Sequence, residues 1–245
     1  MSTTWVAFWN ILLKDMRSYY IKPPNISWGI IFPLAWTLMV FIRSGGPLDA
    51  REMLPGVMCL SVLFGTTSML AVTITFERMG RSFDRLLLAP ISLNLLLLAK
   101  TGGAILFGII NGFAPVALAA FLGDLSAIDW PCVLLVVVLV AATSAFLGLF
   151  IAVSVHQVFE AQTFSNFFRF PMIFLCGLFI PLEAIPAFLR AVSYALPLTY
   201  GADSLKILIN GKGHLALGLD LLLLALFGVI LFCWSARAVK TRWIL

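Results

Sequence analysis

The stretch Glu77-Arg78-Met79-Gly80-Arg81-Ser82-Phe83-Asp84-Arg85-Leu86-Leu87-Leu88-Ala89-Pro90-Ile91-Ser92 carries the densest charge in the sequence and lies between two long apolar runs, 54–76 and 93–122. Runs of that length have the reach of membrane spans, so the charged stretch between them has to stand outside the hydrocarbon. Glu77, Arg81 and Arg85 recur every four residues and share one face of any helix formed here. Phe83, Leu86 and Leu87 lie on another side, and Pro90 closes the element. An amphipathic helix so placed either rests on lipid headgroups or receives a partner from the aqueous phase, and the second is the preferred reading.

Composition supports the membrane reading. Of 245 residues, 62% are hydrophobic and only 11% charged, with a mean hydropathy of +1.06, which places the chain outside the soluble class and among integral membrane proteins. The net charge of +5 comes from cations at the ends of apolar runs, where lipid phosphates account for them, so nucleic acid is set aside as a partner. Cys59, Cys132, Cys176 and Cys233 are far apart, form no CxxC pair and read as small apolar residues rather than metal ligands or a redox pair.

Six stretches approach or reach the roughly 20 apolar residues that a spanning helix needs. They are 26–42, 54–76, 93–122, 131–155, 164–180 and 215–234. The fifth is the weakest, because Arg169 and Pro171 fall near its start and the remainder is short for a crossing. Pro33 and Pro115 are expected to kink the first and third. Gly108 and Gly112 form a GxxxG, and Ser144 with Gly148 a second small-residue pair; both suggest close helix packing, within the chain or between copies.

The first twenty residues lack the continuous apolar core and small-residue cleavage site expected of a removable signal peptide, and the interfacial segment is read over 1–24. Trp5, Phe8, Trp9, Leu12, Leu13 and Met16 instead form a stripe, with Asn10, Lys14, Arg17 and Ser18 mostly opposite, the pattern of an interfacial helix lying aromatic side down with its cations toward anionic headgroups. Pro23-Pro24 ends it. With this helix placed inside, eleven lysines and arginines fall on the inner side and five on the outer, which predicts cytoplasmic termini and a cytoplasmic 77–92 in a multi-pass protein of the cell membrane.

Between the fifth and sixth runs, Ile185, Phe188, Leu189, Val192 and Leu196 make an apolar stripe on a segment bounded by Pro186 and Pro197 that is too short to cross. Residues 183–197 are therefore expected to dip into the membrane and return, packed on protein or lining a wet cavity; an interfacial helix on the outer leaflet is the alternative. Arg169 reaches water in one of two ways, by snorkelling to the cytoplasmic surface or by facing a wet vestibule on a translocation path.

The chemistry of a catalytic site is missing. His156 and His214 have no ligand partner at motif spacing, so no metal site is expected. Neither Ala99-Lys100-Thr101-Gly102-Gly103 nor Asn210-Gly211-Lys212-Gly213 has the glycine spacing and Gly-Lys-Ser/Thr order of a phosphate loop, so the chain is not expected to bind ATP that way. No nucleophile elbow is present, and the chain is not expected to be an enzyme.

Three stretches in order resemble the ABC-2 type permeases, the membrane subunits of ATP-binding-cassette exporters. They are Glu77-Arg78 through Leu86-Leu87-Leu88-Ala89-Pro90-Ile91-Ser92, then Pro171-Met172-Ile173-Phe174-Leu175-Cys176-Gly177-Leu178-Phe179-Ile180-Pro181-Leu182, then Leu196-Pro197-Leu198-Thr199-Tyr200-Gly201-Ala202-Asp203. The one departure noted is Cys176, where a small polar residue is common. The resemblance covers nearly the whole chain. It implies an all-α integral membrane fold with six transmembrane helices, an N-terminal interfacial helix, a cytoplasmic coupling helix at 77–92 and a re-entrant extracellular hairpin at 183–197.

It also implies partners: a nucleotide-binding ATPase subunit, which would carry ATP and Mg, and a second copy of the permease, both alongside membrane lipid. Glu77, Arg78, Arg81, Phe83, Asp84, Arg85 and Leu86 would dock on the ATPase, the arginines against acidic or polar rims and Phe83 with Leu86 in its groove. Glu183, Pro186, Phe188, Leu189, Pro197 and Tyr200 would belong to the gate. The cargo of such a permease, moved outward, ranges from drugs to lipids and glycans. Rival readings are a stand-alone secondary transporter or channel, which calls for repeated halves and several intramembrane acids not evident here, and a non-transporting assembly subunit.

Overall fold

A computed structural model describes residues 3–44, 50–89, 91–121, 125–126 and 128–244; their regular structure is helical, joined by turns and short irregular stretches, with no strand among them. The first helix, α1 (Thr3–Asp15), runs into a π-helical turn, Met16–Tyr20. After Lys22 a second helical run comprises α2 (Pro23–Ile26), a π-turn (Ser27–Ile31) and α3 (Phe32–Ser44). The π-turn ends one residue before Phe32-Pro33, where the proline's missing N–H already weakens the ladder, so the expected irregularity of this run is a widened turn. Then come α4 (Ala50–Met79), α5 (Ser82–Leu87), α6 (Leu93–Ala119), α7 (Trp130–Ser154), α8 (Val158–Leu175), α9 (Ala187–Tyr194), α10 (Pro197–Asn210) and α11 (Leu217–Val239), the last continuing into a π-turn, Lys240–Ile244.

Four of the described helices are long and apolar enough to cross a membrane: 51–79, 93–119, 130–154 and 217–243. The first expected span appears as the interrupted run 23–44. The stretch expected as the fifth span is not among the four: its helix, α8, starts at Val158 and stops at Leu175, five residues short of the expected boundary at 180. The reason is local, since Gly177 adopts φ +78 and turns the chain before Pro181.

The centre of the bundle is α4, which packs against α6, α7, α8 and α10. The GxxxG of α6 serves this packing within one chain. A Cβ at Gly108 would sit 2.3 Å from the Thr66 methyl, and one at Gly112 would sit 2.7 Å from Val62, so the helix axes approach to a distance that only glycine permits. Pro115 lies inside an unbroken α6. Two apolar cores result, one in the half that holds Leu54, Val137, Ile173 and Leu205. The other gathers Ile11, Leu12, Tyr20, Ile74, Phe83, Leu97, Leu149 and Val239, so α1, α5 and the ends of four long helices meet at one end of the molecule.

The hairpin region forms at the opposite end. A short 3₁₀ turn, Leu182–Ala184, leads to α9 and α10, and Arg190 stitches the turn by donating to the carbonyls of Leu182 (2.9 Å), Glu183 (2.8 Å) and Ile185 (3.2 Å). The α9–α10 corner is closed by Thr199 Oγ1 donating to Ser193 O (2.6 Å) and Tyr200 Oη to Tyr194 O (2.5 Å). Gly201 of α10 lies against Val140 in the interior of α7, so the returning arm reaches well below the bundle's end. Pro186, Phe188 and Val192 are exposed, whereas Pro197 and Leu189 are half-buried and Tyr200 is buried. Of the six residues expected to form the gate, Glu183, Pro186 and Phe188 are exposed, whereas Leu189, Pro197 and Tyr200 pack inward.

Candidate functional site

At the end where α1 and α5 meet, the expected single rod over 77–92 is divided. Glu77 and Arg78 are the last turn of α4; the helix stops at Gly80 and Arg81, and α5 restarts at Ser82. Arg81 has φ 54, the left-handed conformation that a non-glycine side chain adopts at a cost. Ser82 Oγ donates to Glu77 O at 3.1 Å and caps the end of α4. Glu77 and Arg81 consequently do not share a helical face, and Pro90 lies outside the described residues.

The break sorts the expected docking residues into two sets. Arg81, Asp84 and Arg85 are exposed, as is Leu88, at 86%. Phe83 points the other way and is fully buried, its ring 5.1 Å from Trp243 in an edge-to-face pair. The Arg78 guanidinium lies 4.5 Å over the same indole and reaches Val155 O at 3.5 Å. Phe83 is thus an anchor beneath α5 and cannot fill a partner's groove. Leu86 is half-buried.

Glu77 is buried as well, at the hub of a charge cluster. Its Oε1 accepts from Lys14 at 2.5 Å and its Oε2 from Lys100. Lys100 also pairs with Asp15 at 2.9 Å, and Lys14 with Asp15 at 3.1 Å. Two cations and two anions from α1, α4 and α6 balance, and pairing of this kind is what allows ionised groups to remain inside a protein. Burial pushes the Asp15 carboxyl above the usual carboxylate range, with the Lys100 charge acting against it. For Lys14 burial works downward, but the hydrogen bond to Glu77 and the charges of Asp15 and Glu77 outweigh it and hold the ammonium above its ordinary value. Lys14 therefore turns inward to Glu77, where the amphipathic pattern of α1 had placed it toward lipid headgroups.

The rest of α1 explains why it can reach so far in. Its apolar stripe divides: Phe8, Ile11, Leu12 and Met16 pack on the protein, while Trp5, Trp9 and Leu13 stay outside. The Gly102-Gly103 pair of α6 provides the seat, with a Cβ at Gly103 falling 3.2 Å from the Tyr20 ring. Lys100, Asp15, Tyr20 and Trp243 are the residues here that sequence reasoning passed over. The signal was present in the Lys100-Thr101-Gly102-Gly103 run, whose small residues and lone cation inside an apolar helix mark a packing seat as readily as they fail as a phosphate loop.

Arg169 lies far from this cluster in sequence and in partners. It is 3% exposed and turned toward α4, so it does not snorkel to the surface. Its Nη2 donates to Ser68 Oγ at 2.5 Å and its Nη1 to Asn166 Oδ1 at 3.3 Å, and the guanidinium carbon stands 4.1 Å over the Phe64 ring. At the other end, His214 Nδ1 lies 2.8 Å from Glu183 Oε1, and its backbone N–H and that of Leu215 donate to Asp203 at 2.9 Å. The last loop is thereby fastened to both the 3₁₀ turn and α10. Among the described residues no group of three or more His, Cys, Asp or Glu side chains is placed to hold a metal ion.

Comparison with known proteins agrees with this architecture. The inner membrane transport permease YadH of Escherichia coli K12 is 25% identical over 253 residues, covering 96% of this chain and 96% of its own length. Nodulation protein J of Sinorhizobium fredii (strain NBRC 101917 / NGR234) is 25% identical over 249 residues, covering 97% and 93%. With an all-helical bundle, four described membrane-length helices and a match to the family described as ABC-2 type transporter over residues 6–209, the chain belongs to the ABC-2 type transporter family and is a membrane transport permease.

Proposed function

We propose that this chain is the membrane subunit of an exporter driven by a separate ATPase, with six spans, both termini and α5 in the cytoplasm, and a second permease copy completing the transport path. The observation that carries the reading is the construction of α5: an outer face bearing Arg81, Asp84, Arg85 and Leu88, held from beneath by Phe83 on Trp243 and tied through Glu77 to α1 and α6. A short helix anchored so firmly transmits a push to the bundle instead of yielding to it, which is the mechanical requirement for ATP-driven switching between two packings. ATP and Mg belong to the partner in this scheme. This chain contributes the docking face, the spans and the gate.

Interface charges act chiefly on orientation and encounter, and the apolar Leu88 between them supplies buried area. At the far end, the 3₁₀ turn, α9 and α10 would close the outer mouth as a re-entrant pair, with Phe188 exposed at its tip. The test is co-purification with the cognate ATPase followed by ATP turnover. Arg81→Glu with Arg85→Glu is expected to leave the permease folded while abolishing ATPase association and permease-dependent turnover. Undiminished association in that double variant would remove α5 as the docking element.

A further inference from the structure

Asp220 is the fourth residue of α11 and the only charged side chain from Leu217 to Ser235. It is fully buried, and neither of its carboxyl oxygens receives a hydrogen bond. An ionised carboxylate in that condition is costly to bury. Its hydrogen-bonding neighbour is a second acid, Asp203 of α10, itself 5% exposed. Asp203 accepts the backbone N–H of His214 at 2.9 Å and that of Leu215 at 2.9 Å. The last loop thus hangs from one member of the pair, while α11 carries the other. Neither acid belongs to an ion pair of the described residues.

The polar groups of the elements packed around the pair are engaged elsewhere. On α10, Tyr200 Oη donates to Tyr194 O at 2.5 Å and Lys206 Nζ to Gly177 O. From α4, Arg51 Nε donates to Ile209 O at 2.8 Å, Glu52 is exposed and Cys59 has Cys176 as its neighbour. Arg190 of α9 holds the carbonyls of the 3₁₀ turn, and Arg169 of α8 is turned to Ser68. The His214 ring faces Glu183, and Lys212 is exposed. Between Trp130 and Ser154, α7 has no charged side chain, and Lys100, Lys240 and Arg242 belong to the opposite end. The buried Ser204 hydroxyl has no partner either, so it is not the donor that Asp220 lacks. Only a hydrogen on one of the two carboxyls satisfies both.

We propose that Asp203 and Asp220 form a proton-binding site, in which one carboxyl donates its O–H to the other and so fastens the last loop and α10 to the head of α11. A metal ion is the other way to neutralise two carboxylates, but a hard divalent cation takes about six or more oxygens, and among the described residues no third His, Cys, Asp or Glu is placed to help. Once the proton leaves, two adjacent carboxylates repel with no cation between them, and the loop lifts from α11. Residues 211–214 are exposed and Asp220 lies only about 4.5 Å along α11 from Leu217, so the proton is exchanged with the aqueous phase on the side opposite α5. The site requires the folded chain alone; its consequence, that acidity in the outer phase keeps α10 seated in the mouth, rests on the proposed export function.

Hydrogen–deuterium exchange of the full chain in phosphatidylcholine nanodiscs tests this, read as protection factors so that the intrinsic pH dependence of exchange is divided out. From about pH 5 to about pH 9, protection at 198–205 and 211–217 is expected to fall about tenfold or more, with an infrared band of a protonated carboxyl disappearing in parallel. Asp220→Asn puts a permanent N–H donor where the shared proton stood; it should keep both segments protected across the range and lose that part of the band. His214→Gln, which removes the other group titrating at this end, should leave the pH dependence in place. Protection that does not change with pH in the unaltered chain, a result that depends on no variant's folding, would overturn the proposal, as would a pH dependence that survives in a folded Asp220→Asn. At constant pH, a chelator or replacement of sodium by N-methylglucamine should change nothing; release of the loop under either would mean that the pair holds a metal cation and would overturn the proton assignment. Exchange needs no ATP, so failed ATPase association would sink the exporter reading and leave this result standing, while pH-independent protection with intact association would sink only the proton site.

Discussion

Glu77 shows how one residue can be legible in type and illegible in role. Its place in a charged stretch after an apolar run marks it as exceptional, but sequence spacing pointed it at Arg81 and Arg85, whereas the fold points it at Lys14 and Lys100. Partners 63 and 23 residues away leave no periodic trace. The arrangement predicts unequal costs. Glu77→Ala leaves Lys100 with Asp15 alone in the interior and is expected to destabilise by about 3–5 kcal/mol. Lys14→Met, at a side chain 42% exposed to solvent, is expected to cost no more than about 1 kcal/mol. In a double-mutant cycle, adding Lys100→Met to Glu77→Ala should recover part of the loss, because the uncompensated charge is gone. Reversible unfolding in mixed micelles measures all three, and a Lys14→Met penalty equal to that of Glu77→Ala would refute the burial argument.

The elements were read best where one face decided them and worst where a break did. Apolar length alone located α4, α6, α7 and α11, and the proline pair at 23–24 located the end of the N-terminal stripe. Periodicity could not place the stop at Gly80-Arg81, because Arg81 occupies a left-handed conformation that sequence does not favour there. That break inverts the expected role of Phe83. Phe83→Asp removes a fully buried ring and leaves a charge in its place, a combination expected to cost more than about 4 kcal/mol and to lower membrane abundance. Arg85→Glu, on the exposed side, should leave abundance unchanged. Blotting of membrane fractions separates the two, and a Phe83→Asp chain as abundant as the unaltered one would return the residue to the surface. The hairpin invites a similar test. Arg190 satisfies three carbonyls of the preceding turn, so Arg190→Ala is expected to speed amide exchange at 182–186 by roughly tenfold or more. Exchange at 198–205, held by Thr199 and Tyr200, should stay as it was.

At the scale of the whole molecule, the packing of Trp243 on Phe83 and Arg78 brings the end of α11 to the end that holds α5, whichever way the bundle sits in the membrane. The proposed absolute direction rests on the lysine and arginine bias. In the proposed topology α9 and α10 return to the side they left: were that pair to cross, Lys212 would lie on the same side as Arg85. Both positions are exposed. In a chain whose four cysteines have been replaced, Lys212→Cys is therefore expected to react with a membrane-impermeant maleimide in intact spheroplasts, and Arg85→Cys and Arg242→Cys only after permeabilisation. Labelling of Arg85→Cys in intact cells would reverse the orientation and strip α5 of access to a cytoplasmic ATPase. Protection of Lys212→Cys with Arg85→Cys also protected would instead mean that the hairpin crosses, and the re-entrant gate would have to be abandoned while the docking role of α5 stood.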